Sequence, residues 1–331
     1  MTKKRILVTG GAGMIGASLL PKLAKAGHDV IVVDDLSRGY NRNVPDACQL
    51  IVSDVAEIMD LDIGSVDVVF HLCSFMFGLG YSQNNHAELY DRNTRISDSL
   101  LTFMKAQART CRMVFVSSSC VYPDDGPDCC TEETPLGNYT EMANLGYGYS
   151  KRHMEDRLRL ASSIFGFPLS IVRPFNIYGE AYRWVGSFSQ AIPMLVNKVM
   201  CDDRIEVWGS GLQRRNYVHA DDCAELLFRL GVGPNVVPLL NIGHQKTITL
   251  NDLTLLIATL AGRSINIDNN HDKPEGRFVK ACSPEAIFHH FPDFEFSINL
   301  RAGLSRMIDW WYKEKNILYQ ALADSSSKCN S

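Results

Sequence analysis

Short apolar runs recur along the first half of the chain. Each is closed by a polar or glycine-rich turn and followed by a stretch of helical periodicity. Ile6 to Val8, His28 to Val33, Leu50 to Val52, Val66 to Phe70, Met113 to Val116 and Leu169 to Val172 read as buried strands. Ala17 to Ala26, Asp91 to Ala108 and the stretch from Tyr147 to about Phe165 read as helices, with Gly27 stopping the first. Such alternation predicts a parallel sheet with helices on both faces. Ligands of such a sheet lie beyond the carboxyl ends of its strands, where the polar motifs fall. After about residue 176 the pattern weakens into short strands (Arg204 to Trp208, Leu239 to Ile242), a helix opened by Asp221-Asp222, and loops. Asn299 to Lys315 reads as an amphipathic helix, with Leu300, Leu304, Met307, Ile308 and Trp311 on one side. Residues 323–331 are polar and read as a disordered tail.

The turn between the first strand and helix carries Gly10, Gly11, Gly13 and Gly16. Glycines there let the backbone approach a pyrophosphate, and the helix N-terminus supplies N–H donors and a positive dipole end. Gly10, Gly13, Met14, Ile15 and Gly16 are therefore the expected contacts to a dinucleotide. Asp34 ends the second strand, 18 residues past Gly16, where a carboxylate accepts hydrogen bonds from an adenosine ribose. Asp34 and Asp35 together would repel a 2′-phosphate, so NAD is expected over NADP. Asp54 and Val55 are placed at the adenine, and Leu72 just beyond the fourth strand. The expected fold class is α/β, a Rossmann-type doubly wound parallel sheet with a smaller mixed α/β C-terminal substrate domain. The NAD-binding domain is expected over residues 1–175, with segments from about 214–245 contributing, and the substrate domain over 176–322.

Composition narrows the function classes. The chain has 331 residues and a net charge of −4, which points away from nucleic acid and anionic membranes. There is no apolar run long enough to span a bilayer, and Met1-Thr-Lys-Lys-Arg5 leads directly into the first strand rather than forming a signal peptide. The ten cysteines are scattered, so reduced thiols and a cytoplasmic location are expected. Cys129-Cys130 and His289-His290 lack complete ligand sets, and no metal is expected.

Tyr147-Gly-Tyr-Ser-Lys151 places a phenol and an ammonium one helical turn apart on one face. A cation at that distance favours phenolate, and a tyrosine tuned in this way can move a sugar hydroxyl's proton while a hydride transfers. Ser118 and Cys120, two apart on a segment read as extended, would share a face, with Ser119 pointing away. Ser118 can polarise a substrate oxygen. Cys120, once activated, can move a proton at a neighbouring carbon.

Gly10 to Gly16, Ser118, Tyr147-x-x-x-Lys151 and Arg173-Pro-x-Asn176 together resemble the extended short-chain dehydrogenase/reductase family of nucleotide-sugar epimerases and dehydratases. The resemblance spans roughly residues 4 to 318. It implies a tightly held NAD(P), a Ser/Thr–Tyr–Lys catalytic group (Ser118, Tyr147, Lys151) and a nucleoside diphosphate sugar substrate. It also implies a homodimer through the helices from Asp91 and Tyr149. Ser118-x-Cys120-Val-Tyr-Pro123, Gly78-Leu-Gly80, Trp208-Gly-Ser-Gly211 and Lys273-Pro-Glu-Gly276 are most similar to the GDP-mannose 3,5-epimerase and GDP-fucose synthase branches. In those branches the Cys120 position is an acid/base beside the sugar. Gly80, Ser119, Asn176, Gln190, Arg215, Arg277 and Lys280 are the implied substrate contacts, with Arg215 the foremost diphosphate ligand. Both branches place a second acid/base, lysine or histidine, where this chain has Gln190. An amide donates no proton at neutral pH, so the two-base epimerisation loses a partner while C4 oxidation stands. The Asp-Glu pair of the family's dehydratases is replaced by Ser119-Cys120, which disfavours a 4,6-dehydratase. The expected function is an NAD-dependent, GDP-sugar-favouring epimerase working through a 4-keto intermediate. The alternatives are a 4-dehydrogenase/reductase and a non-catalytic dinucleotide sensor.

Overall fold

The computed structural model describes residues 2–181 and 190–328. The chain opens with β1 (Arg5–Thr9), α1 (Met14–Lys25), β2 (Asp29–Asp34), β3 (Gln49–Val52) and β4 (Val68–His71). A short helix α2 (Leu79–Ser82), the long α3 (His86–Ala106), β5 (Arg112–Val116), β6 (Cys129–Cys130), α4 (Leu145–Phe165) and β7 (Leu169–Pro174) follow. The remainder comprises β8 (Ile177–Tyr178), α5 (Ala191–Cys201), β9 (Arg204–Trp208), β10 (Arg214–Arg215), β11 (Val218–His219), α6 (Ala220–Val232) and β12 (Leu239–Ile242). It closes with β13 (Ile248–Thr249), α7 (Leu250–Leu260), β14 (Asn266–Asn270), β15 (Val279–Cys282), α8 (Glu285–His290) and α9 (Leu300–Lys328).

Seven strands form one parallel sheet in the order β3-β2-β1-β4-β5-β7-β12. The strand order reverses between β1 and β4, and the crevice above that point is where such sheets hold ligands. Alternate residues of the strands feed two cores. Ile6, Val8, Val30 and Val32 pack with Leu19, Leu23, Leu226 and Leu230 of α1 and α6. Leu7, Ile31 and Val69 pack on the other face with Leu100, Met104, Met154 and Leu158 of α3 and α4. Each fully buried aliphatic side chain contributes about 1.5–3 kcal/mol. Burial on both faces explains why these strands read as continuous apolar runs.

The second lobe has its own core, built from Leu195, Val199, Ile205, Leu253, Ile257, Leu304 and Trp311. β9 and β14 form a parallel ribbon, and β13-β10-β15-β6 a small mixed sheet. β12 returns to the large sheet beside β7, and α6 is tied to α1 by Lys22–Glu225 at 2.8 Å. α9 differs from expectation. It continues through Lys328 instead of giving way to a disordered tail at Ala323. No glycine or proline occurs after Gly303 to interrupt its backbone ladder. Residues 329–331 lie outside the described residues.

Candidate active site

The carboxyl ends of the central strands open on a cleft of about 1300 Å³ that also receives residues of the second lobe. Its floor is the glycine turn. Gly10 has a φ of +72°, and a Cβ there would lie 2.6 Å from the backbone N of Cys73. A Cβ on Gly16 would lie 2.1 Å from the carbonyl oxygen of Gly11, so the third glycine of the motif is needed for helix-on-strand packing. Gly13 precedes α1 in extended conformation, and no side chain caps the helix N-terminus, which suits a pyrophosphate. Asp34 is buried beside this turn. Its carboxylate accepts from Ala12 N at 2.9 Å and Leu36 N at 2.8 Å. Burial raises its pKa, while these two backbone donors pull it down. Asp54 accepts from Ala56 N at 2.8 Å, and Asp54, Val55, Leu72, Met14 and Ile15 all line the cleft. Arg38 lines it too, a residue the sequence reading omitted. The close-packed glycines and the uncapped helix end fit NAD, which when bound accepts and returns a hydride.

Tyr147 and Lys151 occupy successive turns of α4, each 5% exposed. The Lys151 Nζ donates to Val116 O at 2.9 Å and lies 5.7 Å from the Tyr147 ring centroid. Burial lowers Lys151 to about 8. Burial also pushes the Tyr147 phenol up, and the neighbouring Cys120 adds to this. Hydrogen bonding to Ser74 and Ser118 and the Arg38 charge pull the other way without overcoming it. The expectation that Lys151 dominates the tyrosine is thus corrected. Within the protein alone, burial is the largest influence on the phenol and its direction is upward.

The segment after β5 also departs from expectation. Ser118 is extended, but Ser119–Val121 form a 3-10 turn, not a strand. Ser118 and Cys120 still meet, because the Ser118 hydroxyl accepts from Cys120 N at 3.1 Å. The turn brings Ser119 to the cleft as well, instead of pointing it away.

Cys120 lies at the centre of a buried cluster. Lys280 Nζ, from β15, donates to its sulfur at 3.4 Å and to Glu141 Oε2 at 2.6 Å. Burial, then the Glu141 charge, raises Cys120 to about 11, against opposing effects of Lys280 and Ser118. Burial alone would push Glu141 up, but the Lys280 ammonium offsets this and holds it at about 2. Lys280 lines the cleft with its charge already engaged. Glu141 had no signal in the sequence.

The remaining expected contacts divide. Gly80 lies on the cleft, and a Cβ there would lie 2.9 Å from the Trp208 ring. Gln190 immediately precedes α5, half-buried on the cleft. Asn176 adopts a φ of +48°, and its side-chain Nδ2 is buried with no protein partner. Gln213 Oε1 and Tyr217 OH, which the sequence reading missed, are in the same state and also border the cleft. A buried polar atom without a protein partner calls for one from outside the chain, and these three all border the cleft. The Arg215 guanidinium reaches the cleft and is braced by the carbonyls of Arg214, Glu275 and Phe278 at 2.9–3.2 Å. Arg277 is not brought to the site. It is 5% exposed and turns to the Pro127 carbonyl and the Cys130 sulfur, the latter at 3.7 Å.

Behind the reacting groups lies a second polar network. Arg173 donates to both Glu155 oxygens at 2.9 and 2.5 Å and to the Tyr122 hydroxyl at 2.9 Å. Ser117, next to Ser118, donates to Glu155 at 2.5 Å.

A glycine-cradled helix end beneath a buried serine, tyrosine and lysine, all facing a second lobe, defines an NAD-dependent enzyme of the short-chain dehydrogenase/reductase type. The chain belongs to the NAD dependent epimerase/dehydratase family, whose profile matches residues 6–243. It is 28% identical over 321 residues to GDP-mannose 3,5-epimerase 1 of Oryza sativa subsp. indica, covering 95% of this chain and 82% of the rice enzyme. It is 28% identical over 326 residues to UDP-N-acetyl-alpha-D-glucosaminuronate decarboxylase of Bacillus cytotoxicus, covering 95% and 99%. GDP-L-colitose synthase of Yersinia pseudotuberculosis is 24% identical over 324 residues, covering 94% and 99%. The fold is shared with an epimerase of Methanothermobacter thermautotrophicus, at a TM-score of 0.82 and 22% identity over 96% of this chain and 95% of that one. Relatives that are enzymes along nearly the whole chain make this chain an enzyme too and set aside the sensor reading. Among the described residues no helix is long and apolar enough to cross a membrane.

Proposed function

We propose that the enzyme epimerises a nucleoside diphosphate sugar, with a GDP-sugar favoured, through a transient 4-keto sugar. The observation that carries this reading is that Tyr147, Ser118 and Cys120 all open on one cleft between the glycine turn and Arg215. Tyr147, acting as its phenolate, takes the proton of the C4 hydroxyl and later returns it, and the positive nicotinamide of bound NAD+ would favour that form. Ser118 donates a hydrogen bond to the C4 oxygen as its charge changes. Lys151 supplies a positive charge behind the phenol and orients the cofactor ribose. Arg215 holds the diphosphate, and Asn176 and Gln190 hydrogen-bond the sugar. Cys120 moves a proton at the carbon beside the ketone. The GDP preference is supported by two relatives named for GDP-sugars, one an epimerase and the other a synthase.

Incubation with GDP-, UDP-, CDP- and dTDP-sugars in deuterated water, read by mass and proton NMR, tests the reading. We expect an epimer of a GDP-sugar with deuterium at a carbon beside C4. Inversion at C4 without deuterium would leave Cys120 outside the chemistry. Accumulation of a 4-keto sugar, or need for an external electron acceptor, would instead favour the 4-dehydrogenase reading.

A homodimer through α3 and α4 is part of the same proposal. Leu160 and Ile164, a turn apart on α4, are 64% and 70% exposed, more than a lone helix face needs. Sedimentation at micromolar concentration should give twice the chain mass, and a monomer would overturn this.

A further inference from the structure

The mechanism above leaves Cys120 without the second acid/base group that Gln190 fails to supply. We propose that Lys280, pinned by Glu141, is the positioning residue that governs the protonation of Cys120. The inference deepens the epimerase reading and rests on it for its purpose, though not for its test.

The three side chains come from distant parts of the chain. Cys120 sits in the turn after β5, Glu141 in the loop before α4, and Lys280 on β15 of the second lobe. β15 is held in register by Lys280 opposite Arg215 and Ala281 opposite Cys129. All three side chains are buried, with Cys120 7%, Glu141 4% and Lys280 6% exposed. One ammonium therefore serves two acceptors, a carboxylate at 2.6 Å and a sulfur at 3.4 Å. A buried ion pair contributes little net stability once desolvation is counted, so stability alone does not account for it beside a cysteine.

The remaining charged and titratable neighbours are few. Tyr147 on α4 interacts electrostatically with Cys120, and the Ser118 hydroxyl sits at its backbone N. Arg215 on β10 acts on both Glu141 and Lys280. Lys280 is the group that donates a hydrogen bond to the sulfur. When Cys120 protonates an enolate carbon, the S–H bond breaks, its electron pair stays on sulfur, and the enolate pair forms the new C–H bond. The thiolate so formed lies within hydrogen-bond reach of an ammonium, which shifts its donation from Glu141 to sulfur. In the reverse step the thiolate takes the proton and Lys280 returns to Glu141. Lys280 remains charged throughout.

The test is the rate of Cys120 alkylation by iodoacetamide at fixed pH between about pH 7 and pH 10, followed on its peptide by mass spectrometry; the thiol's pKa of about 11 lies above this range, so a shift is read as a rate ratio. Because Cys120 lines the cleft, the reagent can reach it. Lys280→Met should slow alkylation at pH 8 roughly ten-fold, as a rise of about one unit in the thiol's pKa would. Glu141→Gln, which frees the ammonium for sulfur, should speed alkylation at pH 8 by a similar factor. Lys280→Arg should stay within about three-fold of wild type. A purely structural role would loosen the site and speed alkylation in both charge-removing variants. That outcome, or an unchanged rate in either, overturns the proposal. If Lys280→Met fails to fold, judged by NAD binding, the Glu141→Gln arm decides alone. No sugar enters this assay, so failure of the epimerase reading would appear in the substrate panel and not here.

Discussion

Tyr147→Phe is expected to reduce turnover about a thousand-fold, within the range general acid–base groups contribute, while NAD binding and the fold persist. The ring is buried and packs unchanged in the variant; only the hydroxyl is lost. That hydroxyl interacts with Ser118 and Ser74 at the mouth of the glycine turn. Without it the C4 proton has no nearby acceptor. Lys151 is engaged with the Val116 carbonyl, and Ser118 has no base of its own. A thousand-fold loss corresponds to about 4 kcal/mol of transition-state stabilisation. The measurement is kcat at saturating sugar, with NAD affinity and thermal unfolding as controls. A kcat within about three-fold of wild type would remove Tyr147 from the chemistry.

Arg173→Met should destabilise the protein by about 3–5 kcal/mol, because it leaves a fully buried carboxylate with only Ser117 and the part-exposed Arg159 as partners. Glu155 is fully buried and receives Arg173 on both oxygens, with Ser117 and Arg159 adding donors at 2.5 and 3.0 Å. Burial pushes Glu155 up, yet the Arg173 hydrogen bonds and charge hold it below the usual carboxylate range. A depressed folded-state pKa means that the stability from this group is fully present above the unfolded value of about 4.3 and is lost as pH falls through the folded one. The deficit of the variant should therefore be largest near neutral pH and shrink in acid. Urea unfolding at several pH values measures it. The double variant Arg173→Met with Glu155→Met should recover part of the loss, because no lone charge then remains. A deficit below about 1 kcal/mol at pH 7 would contradict this account.

The large sheet was legible because strands buried on both faces are continuous apolar runs separated by helical periods, a local signal. Arg204–Trp208 and Leu239–Ile242 were read with the bounds they adopt. The glycine turn before α1 and the one-turn spacing of Tyr147 and Lys151 on α4 are also local, and the structure has both. What the sequence hid depends on long-range contact. The two-residue strands β6 and β10 are defined by distant partners, β15 for β6 and both β13 and β15 for β10. Glu141 gains its meaning from an ammonium 139 residues away. Arg277 and Lys280, alike on paper, turn to different partners, Pro127 and Cys130 against Cys120 and Glu141, and only Lys280 reaches the cleft. The turn at Ser119–Val121 defeated the period-two reading, although the expected neighbours still met. Desolvation, which sequence reading cannot weigh, reversed the inference about the Tyr147 phenol.

The placement of β12 sets an order of events during synthesis. Its partner β7 is complete at Pro174, but β12 ends only at Ile242, after β8 to β11, α5 and α6 have been made. Until then β7 is a raw edge, with the Ile171 N–H that later donates to the Pro238 carbonyl still lacking that partner. The large sheet therefore cannot be completed before much of the second lobe has been made. Although two lobes can be drawn, translation does not deliver them as two separately finished parts.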